Sequence, residues 1–148
     1  MTAGPAGYSG TPLARKLGLK PGHRVVLEAA PAGWTIPDPP DGVELERDAE
    51  GDADVVVAFF AEAADLVERL PELGRRIFPA GAVWVAWPRK AAGHTSDILE
   101  QTIRDIALPS GLVDVKVAAL DQDWSGLRLV WRKELRTGHG PPGPHPTA

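Results

Sequence analysis

The sequence predicts an α/β domain with a mostly parallel central sheet, a C-terminal antiparallel hairpin and helices on both faces. Three observations carry this. Two continuous apolar runs, Asp54 to Phe60 (DVVVAFF) and Ala82 to Trp87 (AVWVAW), suit strands buried on both sides. Between them, Ala63, Leu66, Val67, Leu70, Leu73 and Ile77 recur at helical spacing. Near the C-terminus, Val113, Val115 and Val117 alternate with Asp114 and Lys116, while Leu127, Leu129 and Trp131 share one face. That is the pattern of two paired strands.

The elements follow in order. Thr11 and Pro12 start a short helix, with Thr11 as its cap and Pro12 at its first position. Leu13 and Leu17 share its buried face, and Gly18 ends it. Lys20-Pro21-Gly22 turns into a first strand, Arg24 to Ala29. Pro37, Pro39 and Pro40 then forbid a regular helix, because proline removes an amide donor and clashes with the preceding turn. Val43 to Arg47 alternates charge with apolar residues and is read as an edge strand.

Pro71 is expected to kink the central helix or to start a second one. Thr95, Ser96 and Asp97 are cap candidates for the next helix, and Asp97 with Glu100 has capping-box-like spacing. Its buried stripe is Ile98, Leu99, Thr102, Ile103 and Ile106, and Pro109 with Gly111 stops it. Asp121 to Gly126 (DQDWSG) supplies the link of the closing hairpin.

The chain has 148 residues, enough for one domain with a sizeable core. Residues 1–10 are read as a flexible segment, 11–136 as the domain and 137–148 as a disordered Pro/Gly-rich tail. There is no cysteine, which excludes disulfides and thiolate metal sites. No apolar run approaches the roughly 20 residues that span a bilayer, and no secretory signal is visible. The reading is a cytoplasmic protein with no membrane contact. The net charge of −4 makes bulk attraction to nucleic acid unfavourable.

No nucleophile elbow, paired catalytic carboxylates, HExxH or P-loop occurs, and no catalytic or metal-ligating set is assigned. Gly4, Gly7 and Gly10 are not preceded by a strand and do not make a phosphate loop. His139 and His145 lie in the tail and are read as bystanders. His94 is read as loop polarity rather than as a general base. Ser9 and Thr11 offer hydroxyls near the start, but capping accounts for Thr11. Asp121, Asp123 and Ser125 are turn formers first. Of five tryptophans, Trp84 and Trp131 are assigned to the core. Trp34, Trp87 and Trp124 fall at element ends, where aromatics mark a pocket or an interface.

The order of elements resembles a Rossmann-like class I methyltransferase. In that family the first strand ends on an acidic residue and a glycine-rich loop that lets S-adenosylmethionine approach the backbone. Here VVLEAAPAGW stands where the family has a VLDxGxGxG-type run. Glu28 falls on the acidic position. Ala30, Ala32 and Trp34 replace the three glycines, with Gly33 displaced by one. Phe78 to Gly81 followed by AVWVAWP resembles the family's turn and next strand, and Leu112 to Lys133 its closing hairpin. The blocks YSGTPLARKLG, WVAWPRK and WSGLRLVWRKELR also resemble an uncharacterised bacterial domain-of-unknown-function family.

Open α/β sheets bind ligands beyond the carboxyl ends of their strands. The candidate ligand-binding residues are therefore Glu28, Trp34, Trp87, Arg89 and Lys90. The altered loop disfavours S-adenosylmethionine, and no cofactor is assigned. The resemblance implies a non-catalytic methyltransferase-like binding or regulatory module, meeting an unidentified protein or a small anionic ligand. The alternatives are a divergent S-adenosylmethionine-dependent methyltransferase and a homo-oligomeric structural protein, such as a homodimer sealed through charged edge strands.

Overall fold

The computed structural model describes residues 11–89 and 96–136, and within them six strands form one sheet. Residues 1–10, 90–95 and 137–148 lie outside the described residues. With them go the expectations for both terminal segments and for Ser9, Lys90, His94, Thr95, His139 and His145. The elements are α1 (Leu13–Lys16), β1 (Arg24–Glu28), β2 (Glu44–Arg47), β3 (Val55–Phe59), α2 (Ala63–Ile77), β4 (Ala82–Pro88), α3 (Glu100–Ala107), β5 (Leu112–Ala119) and β6 (Trp124–Trp131).

The strand order is β2-β1-β3-β4-β6-β5. The first four strands run parallel, and β6 pairs antiparallel with both β4 and β5. The apolar runs sit at the centre because every residue of β3 and β4 is buried. The charged β2 forms one edge, as its alternation predicts. The chain leaves β1 to one side for β2 and continues on the other side in β3. That reversal is the topological switch point of the sheet.

The two faces are covered differently. Helices α2 and α3 cover one face, packing on Val26, Val56, Val83, Val85, Leu127, Leu129 and Trp131. The other face carries Val25, Leu27, Val57, Phe59 and Trp84, with Ala14 and Leu17 of the α1 segment and Ile36 of the following loop packed on them. Helices thus occupy both faces, but the second is covered by four helical residues and the proline-rich stretch after β1.

Several local expectations are corrected. Thr11 does not cap α1: the cap position is Pro12, and no side chain bonds there. Pro71 does not divide α2, which runs unbroken for 15 residues. The carbonyl that loses its amide partner belongs to Val67. Val67 is 55% exposed, so its place in the predicted buried stripe is lost. Asp97 does not cap α3. Its Oδ1 accepts the Ala63 N–H at 2.7 Å, placing a carboxylate on the positive end of α2. At α3 the Leu99 N–H instead donates to Thr102 Oγ1, and Leu99 is exposed.

The hairpin strands extend further than predicted, shrinking the link to residues 120–123. Their register shifts between Asp114 and Lys116. The bulge breaks the expected alternation and leaves Val115 and Val117 half exposed. Asp114 turns to α3, where its Oδ2 accepts from Arg104 Nε at 2.8 Å. That bond holds the Asp114 carboxyl below the usual carboxylate range.

Two outcomes follow. Gly126 lies against Trp84, and a Cβ there would stand 2.9 Å from the indole and 3.0 Å from Leu120. Gly126→Ala is expected to lower stability by about 1–3 kcal/mol, read by urea denaturation. Asp114 has a lowered folded-state pKa, so its stabilisation is present above the unfolded value and is lost as pH falls through the folded one. The melting-temperature gap between wild type and Asp114→Asn should therefore narrow as pH drops below about 4.

Candidate functional site

The switch point places the candidate site beyond β1 and β3, where the loop after β1 begins. Ala29 opens that loop with φ 58°, in the left-handed region that favours glycine. Two bonds to Asp48 hold it there. The Ala29 N–H donates to Asp48 Oδ1 at 2.9 Å, and the Asp48 N–H donates to the Leu27 carbonyl at 2.8 Å. The loop then turns at Pro31 to Trp34, whose N–H donates to the Pro31 carbonyl.

Arg47, at the end of β2, holds the turn from the side. Its Nη1 donates to the Trp34 carbonyl at 2.9 Å, and its Nη2 to the carbonyls of Ala30 and Pro31 at 3.0 and 3.1 Å. The Trp34 indole meets Phe59 at the end of β3 edge-on, with ring centroids 4.8 Å apart. Phe59 meets Trp124 of β6 in the same manner at 5.0 Å. The Trp34 Nε1–H donates to Asp121 Oδ2 at 2.9 Å. Asp121 Oδ1 accepts the N–H groups of Asp123 and Trp124, so one carboxylate both builds the hairpin turn and anchors the indole.

The predicted residues divide between the two faces. Side chains alternate along a strand. Glu28 therefore shares the face of Val26, away from Trp34. There Arg69 of α2 grips it as a fork, Nε to Oε2 at 2.6 Å and Nη2 to Oε1 at 2.8 Å. The Arg76 Nη1 approaches Glu28 Oε1 at 3.7 Å. The same guanidinium, almost fully buried, donates to the carbonyls of Gly51 and Ala49. The bond from Glu28 raises the Arg69 pKa further above its ordinary value. Glu28 is thus engaged by the arginines of α2. A cleft of about 400 Å³ lies beside this cluster, lined by Glu50, Gly51, Arg69, Glu72 and Arg76.

Trp87 is buried. It alternates with Trp84 and Ala86 and packs in the core under α2 and α3. Arg89 does come near Trp34. Its N–H donates to the Asp123 carbonyl and its Nη1 to the Asp121 carbonyl, on the turn that holds the indole. Lys90 lies outside the described residues. Sequence reasoning missed Arg47, Asp48 and Phe59, although Arg47 ends a predicted strand and the other two lie within one residue of a predicted strand end. Among the described residues, no group of three or more His, Asp or Glu side chains is placed to hold a metal ion.

A family model described as "Protein of unknown function (DUF3052)" matches residues 36–133, well over half of the chain. The chain belongs to the DUF3052 family. Comparison with the curated proteins gives no match.

Among solved structures, this DUF3052 chain is similar to magnesium protoporphyrin IX methyltransferase from Synechocystis PCC 6803 with bound SAM. The TM-score is 0.57 and the identity 13%, over 76% of this chain and 71% of that one. The Methanococcus jannaschii fibrillarin pre-rRNA processing protein matches at TM-score 0.53 and 15% identity, over 84% and 70%. The ribosomal protein L11 methylase from Lactobacillus delbrueckii subsp. bulgaricus matches at 0.51 and 13%, over 81% and 75%. These likenesses establish the Rossmann-like methyltransferase fold. No helix among the described residues is long and apolar enough to cross a membrane.

Removing the Glu28 carboxylate leaves the buried Arg76 without its only carboxylate contact among the described residues. Glu28→Ala is expected to destabilise the fold by about 1–3 kcal/mol, measured by chemical denaturation. Arg69→Ala, on the more exposed partner, is expected to cost less.

Proposed function

We propose that this chain is a methyltransferase-fold domain that does not use S-adenosylmethionine and acts as a non-catalytic binding module. One observation carries the reading. The Trp34 indole lies on Phe59 at the switch point and is tied to Asp121. In folds of this kind, glycines let the backbone approach a dinucleotide-like ligand. Here the loop is folded inward, and its Ala30, Pro31 and Trp34 carbonyls are bonded within the chain.

The side chains that would serve a cofactor are engaged elsewhere. Glu28 is forked by Arg69, Asp48 accepts from Ala29, and Arg47 is bonded to three loop carbonyls. No helix follows β1, so no helix N-terminus faces the loop. The surface left for a partner is the outer side of the Trp34–Asp121–Arg89 junction.

Calorimetry and thermal shift with S-adenosylmethionine and S-adenosylhomocysteine test this. A ligand that binds only the native state raises its apparent stability. Wild type should give no binding heat and no melting-temperature rise at millimolar ligand. Near-stoichiometric binding at micromolar ligand would overturn the proposal in favour of a divergent methyltransferase. Trp34→Gly separates occlusion from a missing binding surface: if occlusion decides, this variant gains binding relative to wild type.

A further inference from the structure

The link from β2 to β3 is short for its task. Both strands run parallel to β1 and flank it, so residues 48–54 must cross β1 from its C-terminal end back to its N-terminal end. A crossover between parallel strands ordinarily takes a dozen or more residues and a helix. Here seven residues form a strap on the α2 side, with Ala49 and Ala53 packed on that core. Two arginines hold four successive carbonyls of the strap in alternation. Arg76 of α2 donates from Nη2 to the Ala49 carbonyl at 2.6 Å and from Nε to the Gly51 carbonyl at 2.7 Å. Arg24 of β1 donates to the carbonyls of Glu50 and Asp52.

A strap is thinner than a helix, and the room between it and α2 is the cleft of about 400 Å³ lined by Glu50, Gly51, Arg69, Glu72 and Arg76. One wall is a guanidinium with an unfilled donor. Arg76 is only 5% exposed. Its Nη1 has no acceptor within hydrogen-bond distance among the described residues, since Glu28 Oε1 stands at 3.7 Å. Unlike Arg128 Nε, that nitrogen is not closed off from solvent. Arg69 uses Nε and Nη2 on Glu28, which leaves its Nη1 without a bond among the described residues. The Glu50 carboxylate is likewise unbonded there, because Arg24 takes only the Glu50 carbonyl. The bond from Glu28, and with it the charges of Glu28, Glu72 and Glu50, raise the Arg69 pKa against the opposing effect of burial. The acids and the guanidinium therefore act on one another across the cleft.

Holding the strap explains two of the three Arg76 nitrogens, and Glu28 balances one of the two guanidinium charges. Glu72 is paired with Arg75, so Glu50 is the acid left to balance the other. The lining is thus neutral as a whole, with its positive end on α2 and its negative end on the strap. A buried guanidinium with an open donor favours a carboxylate, because charge-assisted bonds are the strong ones. A simple anion would also meet the like charge of Glu50. A ligand that carries a carboxylate and an ammonium satisfies both ends.

We propose that the cleft between the strap and α2 binds a small zwitterion, a free α-amino acid, with its carboxylate on Nη1 of Arg76 and Arg69 and its ammonium on Glu50. At about 400 Å³ the cleft lies near the lower end of the range for ligand pockets, which suits a single amino acid. Four strap carbonyls and the Glu28 fork fix both walls before any ligand arrives, and such preorganisation lowers the cost of binding. The site lies on the α2 face, across the sheet from Trp34, and does not rest on the reading of the crevice.

The full chain is screened against the standard amino acids by thermal shift and calorimetry. The tightest binder is then compared with its deaminated acid and its decarboxylated amine at matched ionic strength. The intact amino acid should bind at least about tenfold more tightly than either fragment. Glu50→Gln should leave the melting temperature of the unliganded protein unchanged, because that carboxylate is unbonded, and should bring the amino acid down to the affinity of the acid alone. Arg69→Gln should weaken the acid and the amino acid alike. S-adenosylmethionine carries an amino-acid head, so its titration is repeated on Glu50→Gln. A response lost with Glu50 would arise in this cleft, support the proposal and leave the reading of the crevice intact. No response to any of the amino acids at millimolar concentration would overturn the proposal. So would a Glu50→Gln protein that keeps the wild-type affinity.

Discussion

The contact between the Trp34 indole and Phe59, with the bond from Trp34 Nε1 to Asp121, joins three parts of the chain that are distant in sequence. It ties the loop after β1 to the end of β3 and to the turn of the hairpin. Arg47 closes the other side by gathering three loop carbonyls. Edge-to-face aromatic pairs contribute about 0.5–1.5 kcal/mol each beyond area burial, and a typical net hydrogen bond about 1 kcal/mol. A ligand displacing the indole forfeits about 1.5–2.5 kcal/mol. Its affinity falls by a factor of about 10 to 70. Closure of the crevice is thus a property of the resting fold.

The parity of the strands organises everything else. Val26 and Glu28 point one way from β1, and Val25 and Leu27 the other. The same alternation in β4 sends Trp87 under the helices and Trp84 towards α1. The α2–α3 face therefore receives the acidic end of β1 and neutralises it with arginines from α2. The opposite face receives the indole, the short helix and a set of cations bonded to carbonyls. The sheet is of the methyltransferase type, while the surface beside its switch point is built from aromatic and proline residues.

Much of the fold was legible in the chain. DVVVAFF and AVWVAW are apolar without alternation because both faces are covered, and they are the two central strands. The three prolines after Trp34 correctly excluded a helix following β1. Non-local geometry was not legible. Asp97 has the spacing of a cap for α3, but the fold brings it to the start of α2. The bulge near Val115 reverses a pattern that looked regular, because an extra residue leaves no trace in composition. At the site, Trp34 was identifiable from the lost glycines, and Arg89 from its place after β4. Glu28 and Trp87 were grouped with them because strand ends were considered without following which face each side chain takes. Arg47 gave no signal beyond the charge alternation of an edge strand.

The claim that the crevice is closed from within is tested most directly by hydrogen exchange at the Trp34 indole, followed by NMR without any ligand. The account predicts an indole N–H protected by its bond to Asp121, with protection lost in Asp121→Ala. Exchange of that proton at the rate of a free indole in the native wild-type protein would mean that the loop stands open, and would contradict the account.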